Sequence, residues 1–173
     1  MSKHEVLREG QQHRERNKII GEQIGVTMKI AEFVYRLAVA FWVGGNALFT
    51  FVLTPLLFKT ESRDTAARIV GTFFPGYFRW GMACGGIALV LRMVVRGRGI
   101  DLAAGILMAM LAVTAVQAFY VEPRAAELKR EIGSFETTTK EHPLRREFSK
   151  LHAVSAVCNL AVLGGGVALV MLL

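Results

Sequence analysis

Cysteine is scarce in this sequence, and the common nucleotide-binding motifs are missing. The 173 residues include two cysteines, Cys84 and Cys158, and both lie inside apolar runs. Without a CxxC pair or metal-ligand spacing, the sequence predicts no metal site and no disulfide framework. It has no GxxxxGK[S/T] or GxGxxG stretch, so no nucleotide cofactor is predicted. No Ser-His-Asp arrangement can be read from the spacing, so the sequence favours a protein that is not an enzyme and has no catalytic residues.

Charge is missing from long parts of the chain. Hydrophobic residues make up 53% and charged residues 20%, and the charges gather in residues 1–29 and 123–150. The hydrocarbon core of a bilayer holds no water to solvate a charge, so this segregation predicts a membrane protein. The polar start lacks the apolar core and small-residue cleavage site of a signal peptide, and we expect no cleaved leader.

Four apolar stretches reach the ~20 residues that a spanning helix needs. They cover roughly residues 33–58, 75–95, 100–121 and 151–173. We predict an all-α, multi-pass integral membrane four-helix bundle formed by residues 30–173, after a polar amino-terminal tail, 1–29. Arg79 and Arg92 interrupt the second stretch and are expected to reach opposite interfaces along their aliphatic stems. Beside them, Tyr77, Phe78 and Trp80 are expected in an interfacial aromatic belt.

Two connections have a helical pattern of their own. The stretch SRDTAARIVGTFFPGYF, residues 62–78, predicts an interfacial amphipathic helix that Pro75 and Gly76 stop. The stretch PRAAELKREIGSF after the third span is expected to continue that helix into water. Pro143 suits the first turn of the next helix, so the third and fourth helices form a projecting hairpin.

Four spans place both termini on one side of the membrane. Lys and Arg near the helix ends are almost balanced between the two sides and only weakly favour cytoplasmic termini. The net charge of +7 is spread over both faces and mixed with acidic residues. We therefore expect contacts with membrane lipid headgroups and no nucleic acid.

Glycines inside the apolar runs are expected to let helices approach closely, because helices in lipid associate by packing and polar contacts. Gly81 and Gly85 form a GxxxG pair, and Gly44 and Gly165 each follow an alanine at the same spacing. The predicted helix-packing positions are Gly44, Gly45, Gly81, Gly85 and Gly165.

Amides inside the apolar runs need partners, since an unpaired amide in hydrocarbon is costly. Asn46 and Gln117 lie deep in the first and third spans, while His152 and Asn159 share one face of the fourth. These four residues are the predicted ligand-binding set, and the alternative is hydrogen bonding that only holds helices together. A four-helix haem site normally takes two axial ligands from the bundle, and His152 is the one credible histidine.

Several fragments together resemble the transmembrane protein 205-like family of four-span membrane proteins. They are, in order, FWVGGNALFTFVLTPLLF, IVGTFFPGYFRW, VEPRAAELKR and FSKLHAVSAVCNL. The resemblance covers roughly residues 33–165 and implies a helical membrane domain of unknown function. A eukaryotic relative is associated with platinum-drug resistance and vesicle traffic. The resemblance supplies no catalytic residues.

Three functions remain open from the sequence. The leading hypothesis is a non-enzymatic membrane protein that binds or helps move a small molecule, ion or lipid at the polar centre. The second is an interaction subunit, as a homo-oligomer or with a partner membrane subunit. The third is a membrane redox protein with haem, copper or quinone at His152.

Overall fold

The computed structural model describes residues 3–96 and 101–172, and these are helical apart from short connections such as residues 133–142. The α-helices are α1 (Lys3–Ala47), α2 (Thr54–Thr60), α3 (Arg63–Arg96), α4 (Leu102–Val116), α5 (Glu122–Ile132) and α6 (Pro143–Met171). A π-helical segment, Leu48–Leu53, joins α1 to α2, and a second one, Gln117–Val121, joins α4 to α5. The predicted span limits at 100 and 173, and the first two residues of the predicted tail, lie outside the described residues.

Four helical stretches are long and apolar enough to cross a membrane, which confirms the all-α four-span prediction. They are Gln12–Thr60, Arg63–Val95, Leu102–Ile132 and Pro143–Met171. The polar tail is helical from Lys3 and joins the first span without a break. At 1.5 Å per residue, α1 is about 68 Å long and exceeds the ~30 Å of a bilayer's hydrocarbon core.

The four long helices form an antiparallel bundle in which chain neighbours are also spatial neighbours. On the α1–α3 side, Trp42 lies against Gly85 and Phe49 stacks on Tyr77 at 4.6 Å between ring centroids. On the α4–α6 side, Met110 lies against Gly165. Helices α1 and α6 also touch, so the bundle closes in the order α1, α3, α4, α6.

A proline lies two residues after the end of each π-helical segment. The main-chain N–H of Thr54, just before Pro55, donates to the carbonyl of Phe49, and that of Glu122, just before Pro123, donates to the carbonyl of Gln117. These are i→i−5 bonds. The proline that follows has no N–H and cannot return the helix to i→i−4 bonding at that residue. The wide turns therefore follow from the proline positions.

The predicted stop at Pro75 and Gly76 is wrong, because α3 runs through both residues. A proline removes one helical hydrogen bond, and membrane helices tolerate this where neighbours satisfy the freed backbone groups. Lys129 of α5 donates from Nζ to the carbonyl of Ala67 at 2.5 Å, one turn before the Gly71 carbonyl that Pro75 leaves without its helical donor. Gly71 leaves room for the ammonium, since a Cβ there would stand 3.0 Å from Nζ. The amphipathic segment is thus the first part of one long helix.

The hairpin between the third and fourth spans is present as predicted. Helix α5 extends the third span, Gly133 at φ 72° ends it, and Pro143 lies in the first turn of α6. Asp64 at the start of α3 holds the loop between them, accepting from Ser134 Oγ at 2.5 Å and from the Phe135 N–H at 2.6 Å.

The glycines predicted to pack helices divide into two groups. Three of them have no room for a side chain. A Cβ at Gly81 would lie 2.9 Å from Trp42, and a Cβ at Gly85 would lie 2.4 Å from the same residue. A Cβ at Gly165 would lie 2.9 Å from Met110. The other two have room for one. A Cβ at Gly45 would lie at an ordinary contact distance, 3.5 Å, from Nε1 of Trp80. Gly44 is exposed with no atom within 4 Å of its Cβ position, so the structure gives it no contact inside the bundle.

A closer approach occurs at a glycine that the sequence reasoning did not single out. At Gly166 a Cβ would lie 2.3 Å from Cγ2 of Val43. Three glycines follow one another at 164–166, and only the bundle geometry shows that the last of them faces α1.

Candidate functional site

Three amide side chains from three different helices lie buried at one level of the bundle. Asn46 of α1 is 2% exposed, Gln117 at the end of α4 is 1% exposed, and Asn159 of α6 is 8% exposed. The Nδ2 of Asn46 donates to the main-chain carbonyl of Asn159 at 3.2 Å, which links α1 directly to α6. We call Asn46, Gln117 and Asn159 the amide layer.

Hydroxyl groups donate to each oxygen of the amide layer. Thr50 donates to Asn46 Oδ1 at 3.0 Å and Ser155 donates to Gln117 Oε1 at 3.0 Å.

The hydroxyl of Tyr77 donates to Asn159 Oδ1 at 3.4 Å. Across the described residues, every fully buried side-chain nitrogen and oxygen has a hydrogen-bond partner. The network is therefore satisfied without a ligand, and anything that enters must add to these bonds or exchange with them.

A small cavity opens beside the amide layer. It offers about 10 Å³ to the centre of a water molecule and is lined by Trp42, Tyr77, Phe78, Gly81, Thr114, Gln117, Asn159 and Val162. About 10–15 Å³ by this measure is what one water molecule needs. In this conformation the site therefore holds about one water-sized molecule, and a larger guest requires the helices to part.

The cavity lining combines polar and apolar side chains and carries no ionised group. Its polar side chains are hydroxyls, amides and an indole. An ion would lose most of its hydration here without meeting an opposite charge, which is expensive in a low-dielectric interior. The chemistry of the lining therefore suits a neutral molecule that both donates and accepts hydrogen bonds.

Apolar layers lie on both sides of the amide layer along the bundle. Toward the chain termini the core is aliphatic around Val39, Leu107 and Leu169, which are each at most 1% exposed. Toward the hairpin, Phe49, Phe74, Tyr77 and Phe78 form an aromatic cluster with ring centroids 4.6–6.5 Å apart. The amide layer is thus a polar level between an aliphatic side and an aromatic side.

Both π-helical segments lie at the amide layer. Asn46 precedes the first by two residues, and Gln117 begins the second. The N–H of Thr54 donates to the carbonyl of Phe49, five residues earlier. In the same pattern the carbonyl of Thr50 would accept from residue 55, but Pro55 has no N–H to donate. The same argument applies to Ala118 and Pro123. π-Helical turns occur frequently at functional sites, and here both begin at the level of the amides.

The structure does not bring His152 to the amide layer. Its side chain is exposed, and its ring stacks on Phe148 of the same helix at 6.3 Å between centroids. Within the described residues, no group of three His, Cys, Asp or Glu side chains is placed to hold a metal ion. Of the four predicted ligand-binding residues, Asn46, Gln117 and Asn159 come together and His152 stays apart.

Tyr77 and Phe78 belong to the site, although the sequence placed them in an interfacial aromatic belt. Phe78 is 3% exposed, and the Tyr77 hydroxyl reaches Asn159 inside the bundle. Trp80 alone of the three is turned outward, at 50% exposure. The sequence spacing could have placed Tyr77 and Phe78 inside the bundle. They lie four and three residues before Gly81, which with Gly85 marks the face of α3 that packs on α1.

Comparison with known proteins gives a family and a relative. Residues 37–134 match the model of the family described as "Domain of unknown function (DUF4149)". That region includes Asn46 and Gln117 and ends before Asn159. An uncharacterized protein of Aquifex aeolicus (strain VF5) is 35% identical over 125 residues, covering 72% of this chain and 82% of that protein. No solved structure matches the chain. The family match spans more than half of the sequence, and the chain belongs to the DUF4149 family.

Proposed function

We propose that this protein is a non-enzymatic, multi-pass membrane protein that binds a small neutral polar molecule at the amide layer and helps it through the bundle. The observation that carries the proposal is the meeting of three buried amides from three helices: Gln117 and Asn159 line one cavity, and Asn46 is hydrogen-bonded to the Asn159 carbonyl beside it. Polar side chains inside a membrane bundle are costly and commonly mark a substrate pathway.

Size and charge narrow the substrate class. A cavity of about 10 Å³ with an uncharged lining favours a molecule close to water in size over an ion or a lipid. The neighbouring aliphatic layer would act as a hydrophobic constriction, which opens only when the helices move.

Permeability of reconstituted vesicles tests this function. Stopped-flow light scattering would compare protein-free vesicles with vesicles that hold the native chain, under gradients of water and of neutral solutes up to the size of urea. We expect the native chain to raise the permeability to the smallest solutes, and Asn46→Leu and Asn159→Leu to return it to the protein-free value.

The matched control is Asn17→Leu, the same change at an exposed position of α1. It should permeate like the native chain. Native permeability equal to that of protein-free vesicles, or a folded Asn159→Leu variant as permeable as the native chain, would overturn the proposal.

Two further expectations from the sequence belong to this proposal. We propose that both termini face the cytoplasm, which reporter fusions at each end would test. We also propose kinship with the transmembrane protein 205-like family, since the resembling fragments include Asn46 and Asn159. A redox function at His152 receives less support, because that imidazole is exposed and apart from the amide layer.

A further inference from the structure

Helix α1 has an apolar face that no other part of the described chain covers. The face follows the heptad spacing of four and three residues along Ile19, Gln23, Val26, Ile30, Phe33, Leu37, Ala40 and Gly44. We call these eight residues the α1 seam. All eight are exposed, and the large apolar members are 39–65% exposed.

The seam lies opposite the face that α1 packs into the bundle. The bundle face consists of Tyr35, Ala38, Val39 and Trp42, which are at most 7% exposed. Because α1 has 3.6 residues per turn, these positions are roughly half a turn away from the seam. The seam is therefore distinct from the packed face of α1, and none of the described residues of this chain occupies it.

Lipid can cover only part of the seam. The predicted span begins near Phe33, and the seam starts fourteen residues earlier, at Ile19. Between Gln12 and Ile30 every residue except Met28 is exposed. This part of α1 lacks the tertiary packing that supplies most helix stability in proteins, and Gly21 and Gly25 weaken it further. A partner on the seam would therefore stabilise the projecting part of α1.

We propose that the partner is a second copy of this chain, joined through the two α1 seams as a parallel coiled coil that continues into the membrane. Copies inserted in one membrane share one orientation, so their α1 helices run parallel and equivalent seam residues meet. Heptad spacing sustained over this length is the pattern of such pairing. Gln23 is the one polar member, and a single polar seam residue commonly fixes register.

The small residues at the membrane end agree with this pairing. Ala40 and Gly44 allow two helices to approach closely in lipid, where association depends on packing. Apart from its own turn of helix, no atom of the described residues lies within 4 Å of the Gly44 Cβ position, so contacts inside the bundle do not explain this glycine. A second copy would give Gly44 the close contact that the sequence analysis expected for it.

The seam is also large enough for a stable dimer. Its 25-residue rise corresponds to about 37 Å at 1.5 Å per residue. Burying a large apolar side chain in a helix–helix interface covers roughly 60–120 Å² of its surface. With the flanking Ile20, Val34 and Phe41, two copies would bury on the order of 1,200 Å², the lower end of standard interfaces.

Cysteine cross-linking in native membranes tests the proposal. Val26→Cys and Ile30→Cys lie on the seam, and Gly25→Cys and Glu32→Cys lie on the opposite side of the same exposed helix. Under mild copper-phenanthroline oxidation we expect at least tenfold more covalent dimer from the seam variants than from the other two. The unaltered chain, with Cys84 buried and Cys158 half-buried, is the background control.

The mass in lipid nanodiscs supplies an independent measurement. We expect two 19.1 kDa chains per disc for the native protein. The variant with both Val26→Glu and Ile30→Glu should give one chain and should keep its thermal unfolding transition. One native chain per disc, or equal cross-linking on both sides of the helix, would overturn the proposal.

Discussion

The indole of Trp42 occupies the space that a side chain at Gly85 would need. A Cβ on Gly85 would lie 2.4 Å from Cζ3 of Trp42 and 2.7 Å from Cδ2 of Leu111. This contact sets how closely α1, α3 and α4 approach just beside the amide layer. The next glycine along α3, Gly86, has no atom within 4 Å of its Cβ position.

Gly85→Ala is therefore expected to destabilise the bundle by roughly 1–3 kcal/mol through overpacking. In a chain of this size, that lowers the unfolding temperature by about 2–12 °C. Gly86→Ala should leave it unchanged or raise it, because alanine is the better helix former. Scanning fluorimetry in detergent measures both, and equal unfolding temperatures for the two variants would contradict the close packing at Trp42.

Asp101 has two roles at the start of α4. Its carboxylate accepts from the Ala104 N–H at 2.9 Å and pairs with Arg92 at 2.5 Å. The Arg92 side chain is only 15% exposed and also lies over the ring of Tyr35. Asp101→Ala removes the helix cap, worth about 0.5–2 kcal/mol, and leaves Arg92 without this carboxylate.

Asp101→Asn keeps a capping oxygen and removes only the charge, so it should cost less stability than Asp101→Ala. Thermal unfolding of both variants in the same detergent gives the order. If the two variants unfold at the same temperature, the cap contributes nothing and the pairing with Arg92 accounts for the whole effect.

Asp64 should determine how firmly the hairpin loop is held. Asp64→Ala removes the acceptor for Ser134 and for the Phe135 N–H, while Arg145 still donates to the Phe135 carbonyl at 2.7 Å. We expect faster amide hydrogen exchange in residues 133–142 and little change inside the bundle. The comparison is Glu141→Ala, which removes an exposed carboxylate of the same loop. The same exchange rates in both variants would show that Asp64 does not anchor the loop.

Pro123 should matter for the site more than for the fold. Pro123→Ala restores an N–H after the wide turn, so residues 117–121 can return to i→i−4 bonding and rotate Gln117 away from Ser155. We expect reduced solute permeability of reconstituted vesicles with the helical content unchanged. Pro143→Ala is the matched control, since no π-helical segment precedes it. Equal permeability in both variants would show that the wide turn is not needed.

The helices and the buried amides could be predicted from the sequence because a bilayer imposes a strict rule. A polar side chain in a long apolar run must find a partner inside the protein, and this argument identifies Asn46 and Asn159. The same argument cannot place Tyr77, because a tyrosine suits an interface as well as a bundle interior. Its hydrogen bond to Asn159 depends on how α3 and α6 face each other.

The rest depended on positions along neighbouring helices. The spacing of His152 and Asn159 shows that both lie on the same face of α6. It does not show whether another helix packs against that face at the height of His152, and there the imidazole is exposed. Pro75 was predicted to stop a helix, since its local effect is unfavourable. Helix α3 nevertheless continues through it while packed against α1 and α4, and local reasoning does not include that packing.

The two wide turns also make the bundle uneven along its length. Both lie toward the hairpin, whereas the half nearer the termini holds regular α-helix and the tight contacts of Trp42 and Val43 with glycines. The half with regular turns and side chains locked against glycines is the stiffer one. A molecule that travels along the axis would therefore enter easily from the hairpin end and meet its main kinetic barrier after the amides. Substitutions near Leu107 would change the rate of passage, and those near Phe74 would change access.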